Sequence, residues 1–122
     1  MLAAVTAAQA GHVYRPSELV AKSRALDGKR VHVRGWIVLE FENFNLWDSK
    51  ADFVRGDPAK CVALDHVLDL GYTHFNRSRL ALAGTFRSDL SAGRVMLTMC
   101  NLMGVDVDRS EFPWRSRKGL KP

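Results

Sequence analysis

The run CVALDHVLDLGYTH holds Cys61, Asp65, His66, Asp69 and His74 in one short stretch, and these are the residue types that bind divalent metals. A zinc assignment from sequence also needs recurring CxxC or HxxxH spacing, and none of these pairs has it. His66 and Asp69, three residues apart, have instead the separation of an ordinary surface pair on a helical turn. Glu40 and Glu42 share one face of a predicted strand, where paired carboxylates can divide acid and base roles. On a solvated strand such charges more commonly keep the edge soluble. The chain lacks a Gly-x-Ser-x-Gly elbow, a glycine-rich phosphate loop and a His-Glu-x-x-His pair. The expectation is therefore a protein without catalytic residues, metal or cofactor.

The 122 residues suit one domain of soluble composition, 47% hydrophobic and 25% charged. No apolar run approaches the roughly 18 residues that a membrane-spanning helix needs. The net charge of +5 is unevenly placed. Arg109, Arg115, Arg117, Lys118 and Lys121 against Glu111 give most of it to residues 109–122, and leave 1–108 close to neutral. A neutral body weakens a nucleic-acid reading, which wants a basic face on the folded domain. The tail is expected to be an appendage, with Phe112 and Trp114 clipping its near end to the domain.

Residues 1–14 read as an extension in either of two ways. Leu2–Ala10, ending in Ala8-Gln9-Ala10, fits the remnant of an export signal, or else an alanine-rich helix. The compartment, exported or cytoplasmic, stays open with it. Two cysteines allow one bridge in an oxidising compartment or two buried thiols in a reducing one. Strand alternation points Cys61 outward, away from Val62 and Leu64, and so predicts that Cys61 and Cys100 are not bridged.

The elements that must position any site follow from periodicity. Pro16 and Asp27-Gly28 bracket a short helix at Ser17–Leu26, with Leu19, Val20 and Leu26 inward. Strict alternation then marks a long first strand, Arg30–Phe41, its odd positions apolar and its even positions largely polar. Gly35 in its middle predicts a bulge or a sharp coil. The second strand is FNLWD, the third CVALD, the fourth LALAGTF and the fifth RVMLTMCNLMGVDV, broken or bulged at Gly104. SKADFVRGDPAK reads as a polar loop, and a helical turn is expected at His66–Leu70 between the third and fourth strands. The predicted core is Val31, Val33, Ile37, Leu39, Phe44, Leu46, Val62, Leu64, Leu80, Leu82 and Phe86.

Five strands, the first long and kinked, with an extra element between the third and fourth, give a mainly β chain in the order of an OB-type barrel at residues 15–108. GKRVHVRGWIVL, FNLWDS and CVALD resemble the opening strands of OB domains, including synthetase anticodon-binding domains and small periplasmic bacterial modules. PSELVAKSRALDGKRVHVRGWIVLEFENFNLW with LALAGTF resembles more closely a group of small, mostly uncharacterised bacterial proteins. These share a Ser-Glu-Leu helix start, Asp-Gly-Lys-x-Val-x-Val-x-Gly and a Phe-Glu step. The resemblance covers about residues 15–105, and its motifs build a fold rather than a catalytic site.

OB domains bind ligands on the outer face of their second and third strands, with aromatics stacking on bases. Trp36 and Trp47 fall on neighbouring strands where both can reach that outside, or either can be covered by packing. Arg34 and Lys50 are countered on the same hairpin by Glu40, Glu42 and Asp48, a mixture poorly suited to phosphate. The expected function is a binding module for a protein or peptide, through Arg34, Trp36, Glu40, Asn45 and Trp47. An envelope adaptor or an inhibitor of a toxic effector fits such a module. The alternative is an OB domain for single-stranded oligonucleotides, using the same aromatics and the basic tail.

Overall fold

A computed structural model describes residues 11–40, 43–69, 71–93 and 100–108. The readings of 1–10, of Phe41 and Glu42, of the first part of the fifth strand and of the tail with Phe112 and Trp114 lie outside these residues. The described elements are β1 (Val13–Tyr14), α1 (Pro16–Ala21), α2 (Ser23–Leu26), β2 (Arg30–Glu40), β3 (Asn43–Trp47), α3 (Lys50–Arg55), β4 (Cys61–Asp65), β5 (Ser78–Arg87) and β6 (Gly104–Val107). Short 3-10 turns lie at Pro58–Lys60 and Tyr72–Phe75.

The five expected strands are β2 to β6. They follow one another in the order β2-β3-β4-β6-β5, and β5 pairs back with β2 to close the ring. β4 and β6 run parallel, while the other pairs of the ring are antiparallel. This is an OB-type barrel with one added strand, β1, laid parallel to the start of β2. Val13 and Tyr14, read from the sequence as part of an extension, thus belong to the sheet. Tyr14 packs into the core.

β2 does the work of closure. Its first part pairs with β5 from Arg30 to Ile37, and its end pairs with β3 from Trp36 to Glu40. Gly35 stands just before the handover. It does not interrupt the strand; a Cβ there would lie 2.3 Å from the Trp47 carbonyl oxygen. Gly84 performs the same service on β5, where a Cβ would meet the Asp106 carbonyl oxygen at 2.2 Å. Gly104 is the first residue of β6.

Alternation predicted the inner face correctly. Val31, Val33, Ile37, Leu39, Leu46, Val62, Leu64, Leu80, Leu82 and Phe86 are all buried in one cluster. Phe44 is only partly buried, because it borders a small opening at one end of the barrel. Leu19 and Leu26 plug the cluster from outside the sheet, and Val20 packs against its margin.

Three local readings are corrected. The predicted single helix is two, because Lys22 at φ −108°, ψ 23° leaves the helical region and caps α1. The polar loop after β3 is α3, started by Ser49 and ended by Gly56. Ser49 Oγ accepts from the Asp52 N–H at 3.1 Å, and Gly56 adopts the left-handed conformation at φ 69°. The helical turn between β4 and β5 lies at Tyr72–Phe75, with residues 66–69 forming plain turns. There the hydrophobic anchors are Val67, Tyr72 and Phe75, and they set the position of the turn.

Ile37→Ala should destabilise the barrel by about 2–5 kcal/mol, because the cavity lies at its centre. Gly84→Ala, which forces backbone apart, should cost about 1–3 kcal/mol or more, and Arg34→Ala less than about 0.5 kcal/mol. Urea denaturation of the three variants tests this, and similar midpoints would contradict the assigned inner face.

Candidate functional site

The even residues of β2 point outward, so Arg34, Trp36, Val38 and Glu40 line one outer strip. Register sets Trp36 between Trp47 on β3 and Arg79 on β5. This strip divides. On the β3–β4 side, Val38, Trp47 and Cys61 form a second buried cluster outside the barrel, with Trp36, Phe53 and Cys100 packed around it.

α3 explains why that side is covered. Its Phe53 ring meets Trp47 edge to face, 5.6 Å between centroids. Trp47 is 0% exposed, and its Nε1–H donates to Asn45 Oδ1 at 2.7 Å. Asn45 is itself 1% exposed. The sequence reading of Asn45 and Trp47 as surface contacts is therefore corrected: they anchor each other under a helix that had been read as a loop. Here the outer face of the OB fold's second and third strands is filled by the protein's own side chains.

A disulfide joins Cys61 to Cys100, with Cα atoms 5.9 Å apart, against the expectation of separate thiols. Cys61 does point to the outer side, as alternation required. The segment entering β6 crosses that side, however, and brings Cys100 over it. Asn101 holds the same crossing by donating to the Pro58 and Cys61 carbonyls at 2.7 and 3.2 Å.

Glu40 is also bound within the chain. Arg77 grips it with two N–H donors, Nε on Oε2 and Nη2 on Oε1, and Asn76 Nδ2 donates to Oε2 at 3.2 Å. The Arg77 hydrogen bonds, then that of Asn76, hold the Glu40 carboxyl below its ordinary range. Asn76 Oδ1 accepts in turn from the Leu39 N–H at 2.7 Å. Glu40 thus ties the end of β2 to the start of β5, and the Arg77 guanidinium lies 5.1 Å from the Phe53 ring centre. Asp48 accepts from the Ser17 N–H at 2.8 Å, and Asp52 pairs with Ser49 and Arg55.

With these acids engaged, the remaining charged side chains described on the outer strip are cationic. Arg34 and Arg79 are exposed, and neither has an ion-pair partner among the described residues. Lys50 Nζ stands 5.8 Å from the centre of the Trp36 ring. Val54, one turn further along the same face of α3, is 72% exposed. Trp36 is partly exposed, and its indole N–H has no hydrogen-bond acceptor among the described residues. Sequence reasoning missed Arg79 and Val54, and did not place Lys50 against Trp36. The parity of Arg77 and Arg79 against Leu80 was available as a signal, as were the Ser-x-x-Asp cap and Gly56.

The other chemical cluster disperses. Cys61 is in the disulfide, and His74 packs on Phe75 with ring centres 4.4 Å apart. Among the described residues, no three His, Cys, Asp or Glu side chains are grouped as metal ligands require. Asp65, His66 and Asp69 instead border a cavity of about 150 Å³ with Phe44 and Val67. His66 Nδ1 lies 2.6 Å from Asp106 Oδ1, linking β4 to β6. That hydrogen bond, aided by the nearby charges of Asp65, Asp106 and Asp69 and opposed by partial burial, raises the His66 pKa above its ordinary value of 6.5.

Comparison with protein-family models, curated proteins and solved structures finds no match. Among the described residues, no helix is long and apolar enough to cross a membrane.

Alkylation of the native, unreduced protein should label neither cysteine. Reduction should lower stability by about 2–4 kcal/mol, since the bridge closes a long loop. Free thiols before reduction would refute the covered outer cluster as drawn. The raised pKa of His66 also carries a sign. The folded state holds this proton more tightly than the unfolded chain, so the stabilisation is full below about pH 6.5 and fades as pH rises through the higher folded value. The stability advantage of the native protein over His66→Ala should therefore shrink as pH rises above about 6.5. Denaturation midpoints of both across that range measure it, and a constant difference would rule the pair out.

Proposed function

We propose that this chain is a non-catalytic binding module that recognises a protein or peptide through the outer strip centred on Trp36. The observation that carries this reading is a partly exposed tryptophan that faces Arg79 across the strand pair, with Arg34 two residues along the same face and Lys50 5.8 Å from its ring centre. Tryptophan and arginine dominate the energetics of protein interfaces, and an apolar centre within a charged rim is their usual anatomy. The closed barrel and the bridged outer cluster hold this strip on rigid elements, which lowers the ordering cost of binding. The disulfide favours an oxidising compartment, and with it the role of an envelope adaptor or an inhibitor of an exported effector.

The three cations also favour a second reading, a site for single-stranded oligonucleotides. It is the weaker reading because sequence-tolerant strand binding relies on successive stacking platforms. Trp47 is sealed beneath α3, which leaves Trp36 as the single aromatic of the pair open to a base.

Trp36→Ala should weaken capture of the partner by about 2 kcal/mol or more, roughly thirtyfold, while the barrel stays folded by circular dichroism. The measurement is retention of proteins from an extract of the source organism on immobilised native and variant chains, followed by affinity titration. If every retained protein binds Trp36→Ala equally well, the reading fails.

A further inference from the structure

We infer that the occupant of the Trp36 strip is an acidic polypeptide segment, its carboxylates received by Arg34 and Arg79 and an adjoining apolar side chain laid on Trp36. The inference rests on the binding role proposed above and narrows its ligand.

The register carries the geometry. Trp36 faces Arg79 across β2 and β5, and Arg34 faces Ala81. These four side chains make one outward square, in which the two arginines are diagonal neighbours, about 7–8 Å apart at the backbone. Like charges so placed repel, and no described carboxylate lies between them to offset the repulsion. Ala81, the fourth corner, is small and buried. Two exposed planar forks suit carboxylates, which arginine binds through paired N–H donors. Lys50 adds a third positive charge, 5.8 Å from the centre of the Trp36 ring.

The described acids nearby have partners of their own. Glu40 is held by Arg77 and Asn76, Asp48 by the Ser17 N–H, and Asp52 by Ser49 and Arg55. The strip therefore presents unengaged cationic donors, although the formal charges of residues 1–108 nearly cancel. A polypeptide is favoured over a nucleic acid because only one ring of the Trp36–Trp47 pair is open, whereas a single strand relies on successive stacking platforms. Acidic residues alternating with apolar ones match such a surface, and attraction of this kind speeds encounter as well as selecting the partner.

The test is selection of a random-peptide phage library on the intact, oxidised protein, then fluorescence-anisotropy titration of the selected peptides and of oligothymidine. The variants are Trp36→Ala and the double variant Arg34→Gln/Arg79→Gln, which alters exposed side chains and should leave the melting temperature unchanged. Selected peptides should carry Asp or Glu beside an apolar residue. The double variant should weaken them about tenfold or more and flatten their salt dependence. Neutral or basic peptides that depend on Trp36 and ignore the double variant would overturn the acidic occupant and leave the binding role standing. Oligothymidine bound more tightly than any selected peptide, and lost in the double variant, would assign the cations to a nucleic acid and overturn the inference. Selected peptides indifferent to both variants would remove the strip as a site, and the binding role with it.

Discussion

The passage of backbone against backbone at Gly35 and Gly84 is the constraint on which the rest of this structure depends. β2 must leave β5 and take up β3 within two residues, and it can do so only where the Trp47 carbonyl fills the space of an absent side chain. The same approach of β5 to the Asp106 carbonyl closes the opposite seam. Closure removes the free edges that a five-stranded sheet would otherwise expose. It also fixes the phase of β2: with Gly35 inward, Arg34 and Trp36 must both point outward. The outer strip is thus a consequence of the crossing, before any helix or bridge is added.

The second layer decides which part of that outside remains available. α3 lies over β3 and β4, and Phe53 closes on Trp47. The disulfide holds the approach to β6 against the same side. Together they make a small core outside the barrel. Its cost in surface is selective, because it hides the aromatic that Asn45 satisfies and leaves the one with no described acceptor. Trp47 is tethered through Nε1 at 2.7 Å, whereas the indole N–H of Trp36 is not.

The inner barrel was legible because period two is a local property and one buried face records it residue by residue. Val31, Val33, Ile37 and Leu39 needed no knowledge of their neighbours. The outer layer was not legible in that way. Whether Trp47 is covered depends on a helix whose apolar residue Phe53 stands among Lys, Asp and Arg, with no apolar repeat to announce it. Only its caps, Ser49 and Gly56, were local signals. The disulfide depended on where the chain crosses before β6, and strand alternation cannot report that. Of the candidate site, Arg34 and Trp36 are on the open strip, Glu40 is an internal tether, and Asn45 and Trp47 are packing residues.

Charge counting failed for a related reason. The net charge of a segment treats every carboxylate as equally able to offset a nearby cation, whereas hydrogen-bond geometry assigns each to a partner. Glu40 is two residues from Val38 on the same strip, yet its oxygens are turned to Arg77 and Asn76. Asp48 follows β3 directly but is turned to the backbone of α1. A carboxylate so held still contributes its field, screened over about 8–10 Å at physiological salt, but its lone pairs are engaged. Arg34 and Arg79 keep their donors free among the described residues. A surface can therefore be neutral by count and yet present directional donors of one sign. In a barrel this small, that asymmetry arises when the acids are used as tethers and Arg34 and Arg79 are left facing outward on the sheet. Such donors are preorganised by the sheet beneath them and need little rearrangement to bind, which distinguishes them from the same number of basic residues on a flexible chain.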